Sequence, residues 1–262
     1  EYQLLDPTWV PNTRELWSSA EQQQNYLMGL PEGADLMETP ISPSENHYVI
    51  VNGKSEIKND GTLIGEFSIE AEGQSDAAVR GVFSGRYSDW DNAVRAELLR
   101  IDPRAIITSV KYTDSDEYLK QPVAISYKYQ IPNYATISEN EIIFTPLLAK
   151  NVFKRAMAHL YMDTSVETRD YAFSDRCSRL VKITENITLP KYSETIYIPE
   201  SKEITSEYVN YNGGYVINKR NLKFHQTIDI GKRIYQAEEW QDFRNAVINQ
   251  NNFANENIIL KK

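Results

Sequence analysis

Leu222-Lys223-Phe224-His225-Gln226-Thr227-Ile228-Asp229-Ile230 decides the fold class. Leu222, Phe224, Ile228 and Ile230 face one way, and Lys223, His225, Thr227 and Asp229 face the other. A period of two puts successive side chains on opposite faces of a strand. The same alternation runs through Leu63, Phe67, Ile69 and Ala71, set among Thr62, Glu66, Ser68, Glu70 and Glu72. It returns in Val123, Ile125, Tyr127, Tyr129 and Ile131, and again in Val181, Ile183, Ile187 and Leu189. One buried face and one wet face mark antiparallel sheet. Asn59-Asp60-Gly61 and Asn212-Gly213-Gly214 supply residues suited to tight hairpin turns.

Two stretches leave this period. Ser88 to Ile101 places Trp90, Val94, Leu98 and Ile101 at helical spacing, with Ser88 as N-cap and Pro103 beyond the end. Ala237 to Gln250 places Trp240, Phe243 and Val247 on one face, with Glu238 and Glu239 in the favourable first turn. Residues 147–161 have a mixed pattern after Pro146. Residues 1–45 carry Pro7, Pro11, Pro31, Pro40 and Pro43 with only short apolar pieces, so they read as an irregular arm. The expected architecture is mainly β: a large antiparallel β-sandwich over 46–262 with two short helices at its edges. The pattern leaves open whether 46–262 is one sandwich or two domains meeting near residue 155.

Lys plus Arg total 28 against 37 Asp plus Glu, a formal charge of −9. That balance argues against a general nucleic-acid binder, which needs a basic stripe. Apolar residues make up 41%, enough for a core at this length, and no apolar run approaches the roughly 20 residues of a membrane span. No charged-then-apolar leader opens the chain, so an export signal is expected to be removed or absent. One cysteine excludes internal disulfides and cysteine-rich zinc sites. No cofactor is assigned.

Individual residues offer little catalytic chemistry. Asp6, ending a short apolar piece and followed by Pro7, has the local form of a turn initiator. Cys177 lies near the start of a strand and reads as a small buried hydrophobe. His47 begins a strand, His159 falls in the mixed stretch, and His225 points with the polar face of its strand; no pair has metal-ligand spacing. Asp89 and Asp91 suit a helix start, and Asp114, Asp116 and Glu117 a solvated turn. Asn186-Ile187-Thr188 matches a glycosylation acceptor inside an alternating strand, where chance explains it better. Tyr208, Tyr211 and Tyr215 offer either a sugar-stacking platform or cross-strand aromatic pairing, and pairing is the simpler account.

Leu4-Leu5-Asp6-Pro7-Thr8 resembles the end of a transglutaminase-like, papain-type core, in which this Asp closes a Cys–His–Asp triad. Glu15-Leu16-Trp17, Gln22 to Tyr26 and Gly29 to Ala34 resemble that core's closing strands. From about Asn46 onward the chain resembles the all-β domain of unknown function that follows such cores in envelope proteins of certain Gram-negative bacteria. The resemblance implies thiol chemistry on amide bonds in a parent protein, with Asp6 as the third triad member. The nucleophilic cysteine and its histidine precede this Asp in such cores, which puts them upstream of Glu1. Cys177 does not open a helix as the family's nucleophile does. The resemblance further implies a periplasmic or cell-envelope location and a transglutaminase-like core as neighbour. Residues 1–45 are then that core's tail, and 46–262 a non-catalytic accessory domain. The alternative is an envelope module that binds a glycan or peptide.

Overall fold

The structure, a computed structural model, describes residues 19–192 and 194–262. In chain order its elements are β1 (Asn25–Leu27), β2 (Leu36–Glu38), β3 (Tyr48–Ile57), β4 (Leu63–Ala71), α1 (Gly73–Arg80), α2 (Trp90–Leu99), β5 (Ile106–Tyr112) and β6 (Val123–Ile131). Then come β7 (Thr136–Ile137), β8 (Glu141–Phe144), β9 (Phe173–Ser174), β10 (Arg179–Thr188), β11 (Glu194–Tyr197) and β12 (Lys202–Thr205). The last are β13 (Val209–Asn218), β14 (Asn221–Ile230), β15 (Ile234–Tyr235), α3 (Trp240–Asn255) and β16 (Ile258–Lys261). Eight strands form one sheet in the order β12-β13-β14-β10-β3-β4-β6-β5, and β11-β16-β8-β7 form a second.

The alternating runs become strands as their period requires. Val49 and Val51, Phe67 and Ile69, Ile125 and Tyr127, Val181 and Ile183, and Phe224 and Ile228 all point into one buried face. What covers that face differs from the expected sandwich. α1 packs on β3, β4 and β6, while α3 packs on β12, β13 and β14. Ile142, Phe144, Ile258 and Leu260 of the small sheet join the same core. The large sheet is also mixed, because β3 and β10 run parallel. The fold is therefore mixed α/β and mostly strand, with three helices among the described residues where two were expected. Alternation reports that a strand is half-buried; it does not report whether a helix or a second sheet does the burying. The β3–β10 pair also joins strands from either side of residue 155 into one sheet.

Turn chemistry shows one agreement and one correction. Gly61 has φ +83° between β3 and β4, and a Cβ there would collide with the Ala135 carbonyl. Asn212-Gly213-Gly214 is no hairpin turn: it lies within β13, and the chain reverses at Lys219, φ +53°. Gly213 instead makes room for the Tyr211 and Phe253 rings, and Gly214 for Ser201. α2 starts at Trp90 after a 3-10 turn, so Ser88 does not cap it; its hydroxyl bonds the Asp89 carboxylate. Residues 147–161 form three 3-10 turns, interrupted by Asn151 and Phe153 in left-handed conformation.

α1 is held by a buried ion pair. The Arg80 Nε donates to Asp76 Oδ1 at 2.6 Å, and Arg80 also donates to the Ser115 and Gln121 carbonyls. The second Asp76 oxygen accepts from the Val123 amide at 2.6 Å, fastening the helix to the start of β6. Removing one partner leaves an uncompensated charge in the core, which typically costs about 3–5 kcal/mol. Asp76→Ala is expected to lower the unfolding free energy measured in urea by that amount, whereas a change below about 0.5 kcal/mol, the range of a surface substitution, would refute the account.

Candidate functional site

The residues singled out in the sequence do not converge. Asp6 lies outside the described residues. Cys177 is fully buried, its Sγ 3.2 Å from Ser19 Oγ and 3.5 Å from Gln22 Nε2. His47 ends a 3-10 turn directly before β3, with Nε2 2.7 Å from Ser42 Oγ and Nδ1 accepting from the Gln74 amide. His159 is sealed in the core, donating to Gln250 Oε1 at 2.8 Å, with Nδ1 3.2 Å from the Arg179 guanidinium. Burial, reinforced by Arg179, pushes both imidazoles down to about 4. Among the described residues no His, Cys, Asp and Glu group could hold a metal ion. Asp91 pairs with Arg95, and Asp114 caps a short turn by accepting from the Asp116 amide. Tyr211 is buried and stacks on Phe253 of α3 at 6.5 Å, and Tyr215 lies tilted against its cross-strand partner Phe224 at 5.3 Å, so these rings are spent on packing.

Two surfaces have more content. The first is where the arm meets the body. The Gln22 side chain is fully buried, donating to the Ser19 carbonyl and accepting from the Ser42 amide, with Ser178 Oγ 3.4 Å away. Gln23 Oε1 accepts from the Arg233 and Ile234 amides, and its Nε2 donates to the Ile234 carbonyl. Gln23 makes this reach from a left-handed backbone, φ +58°, a conformation uncommon outside glycine and asparagine. Beyond this anchor the β1–β2 hairpin pairs Leu27 with Leu36, and both side chains are 67% exposed. These two large apolar residues, paired on a solvent face, lie outside the core.

The second surface is the other face of the large sheet. Register brings His225, Thr184, Asn52, Ser68, Ser126 and Lys111 into one cross-strand row. A parallel row holds Lys223, Asn186, Lys54, Glu66, Lys128 and Ser109. A groove of about 550 Å³ follows these rows, adjoined by hollows of about 430 and 360 Å³; Lys54 lines all three. Lys54, Lys111, Lys128 and Lys223 are exposed; Glu66 is the carboxylate within the two rows, and Glu56, paired with Lys58 at 2.7 Å, lines the 430 Å³ hollow beside it. Partial burial, with the Lys223 ammonium adding to it, holds the His225 pKa below its usual value. Sequence reasoning read these positions only as wet faces of separate strands; the rows exist once register is known.

No curated protein matches the chain. A crystal structure from Parabacteroides distasonis, described as a "putative protease", aligns with a TM-score of 0.39 at 10% identity, covering 72% of this chain. The chain spans 55% of that protein's length. Residues 140–260, within the region expected to resemble an all-β domain of unknown function, match the family model described as "Domain of Unknown Function with solved-structure structure (DUF3858)".

Proposed function

We propose that residues 46–262 are a non-catalytic accessory domain that holds a neighbouring transglutaminase-like core, and that residues 1–45 are that core's tail. The observation that carries this reading is the arm itself: Gln22 and Gln23 key it into the body, while Leu27 and Leu36 face outward as an unfilled apolar contact. A tail tied at one end and apolar at the other fixes how its parent domain sits. The parent chemistry, by resemblance, is cysteine-dependent hydrolysis or acyl transfer at amide bonds in the periplasm or envelope. Cys177 cannot supply it, since no substrate reaches a sulfur with 0% exposure.

The test has two arms. The present chain should show no peptide hydrolysis or transamidation; turnover lost in Cys177→Ala would refute the reading. In the protein extended upstream of Glu1, Leu27→Lys with Leu36→Lys should make the junction near residue 45 more protease-sensitive at an unchanged urea midpoint of the body. Equal sensitivity would show that the hairpin holds nothing.

A further inference from the structure

We propose that the open face of the large sheet binds an acidic peptide segment in extended form, with Lys54 at the centre of the site. This goes beyond the accessory role and does not depend on it. The chain carries a net −9, so a row with three lysines and one carboxylate runs against the protein's own charge. Lys128 is partly met by Glu66 at 3.7 Å across the strands. Glu66 also stands opposite Lys54, so one carboxylate serves two ammonium groups. Lys223 has Asn186 as its cross-strand neighbour on this face. An anion entering the groove meets surplus positive charge that the fold leaves available.

Spacing favours an extended chain. Lys223, Lys54 and Lys128 stand on β14, β3 and β6, each two strands from the next. Two strand spacings are about 10 Å, close to the roughly 9 Å between carboxylates three residues apart on one side of an extended polyproline-II chain. The full run from β14 to β6 is about 19 Å, room for about six residues. Between the ammonium groups stand Asn52, Ser68, Ser126, Thr184 and Asn186, whose hydroxyls and amides both donate and accept, as a peptide backbone requires. Sugar rings would need exposed aromatic faces. The aromatic residues along this groove are Phe67 and Tyr127, whose rings stack on each other in the core.

The test uses fluorescently labelled octaglutamate, octalysine and polygalacturonate with the full chain, followed by anisotropy. Octaglutamate should bind at about 0.02 M ionic strength and weaken at about 0.3 M, where screening is strong. Lys54→Glu should weaken it at least about tenfold, Lys54→Gln less, and the distant Lys120→Glu not at all. Urea midpoints of all three variants report whether the sheet is intact. Equal loss in Lys54→Glu and Lys120→Glu, or no binding at low salt, would overturn the proposal. So would binding of polygalacturonate in preference to octaglutamate, which would make the face a glycan site.

Discussion

Trp240→Ala is expected to cost about 3–5 kcal/mol, a large part of the roughly 5–15 kcal/mol that holds a domain folded. The sequence places Trp240 on the apolar face of the last helix, and its surroundings in the fold show why the loss is large. The indole is fully buried and donates from Nε1 to the Val166 carbonyl at 2.9 Å. Phe173 meets it edge-on at 5.0 Å, and Phe243 stacks at 6.0 Å. The Arg169 guanidinium lies 4.1 Å above the ring, and its Nε is buried without a hydrogen-bond partner. Truncation therefore opens a cavity, removes the hydrogen bond to the Val166 carbonyl and strips a cation of its aromatic neighbour. The urea midpoint should fall sharply with little change in slope. An unchanged midpoint would mean that α3 is held by Phe243, Val247 and Phe253 without it.

What the sequence made legible was whatever burial writes as a period. The strands β4, β6, β10 and β14 were readable because a single face of each is apolar. The breaks in that period were informative too. Glu185 and Gln226 occupy inward positions where an apolar residue was expected, and both are buried. Glu185 is satisfied by Ser55 Oγ at 2.7 Å and the Leu148 amide at 2.9 Å, and burial raises its pKa. α1 escaped notice because the residues that fasten it, Asp76 and Arg80, are polar and leave no apolar stripe to read. The parallel β3–β10 pair escaped because a period of two is blind to strand direction. Asn212-Gly213-Gly214 misled because glycine serves close packing as well as turns. The lysine row was hidden for a further reason: it is assembled from six strands, and no local window contains it.

Acid should destabilise the fold through two histidines, and the sign follows from their environments. In the folded chain the pKa values of His47 and His159 fall from 6.5 to about 4, by burial first and the Arg179 guanidinium second. Each Nδ1 already faces a donor, the Gln74 amide or Arg179, so a proton there meets an N–H or a cation. The unfolded chain takes up these protons near pH 6.5 and the folded chain only near 4. Their contribution is thus complete above about pH 6.5, shrinks as the pH falls, and is spent below about 4. The limit is about 3 kcal/mol for each. Asp175 opposes the shift at His159, and Asp76 and Glu185, whose pKa values burial raises, pull stability the other way in acid. The measurement is therefore a difference: urea midpoints from pH 7.5 to about 4.5 for the native chain, His47→Gln and His159→Gln. Each variant should flatten the acid decline. The consequence is local as well, because His47 ties the arm at Ser42 to α1 at Gln74, whereas His159 ties the 3-10 segment to α3 through Gln250. Proteolysis at about pH 5 should release the arm before the sheet opens, since it is held by few side chains. Parallel midpoint curves for the native chain and both variants would mean that these imidazoles take up protons as readily folded as unfolded, with the arm and α3 held by other contacts.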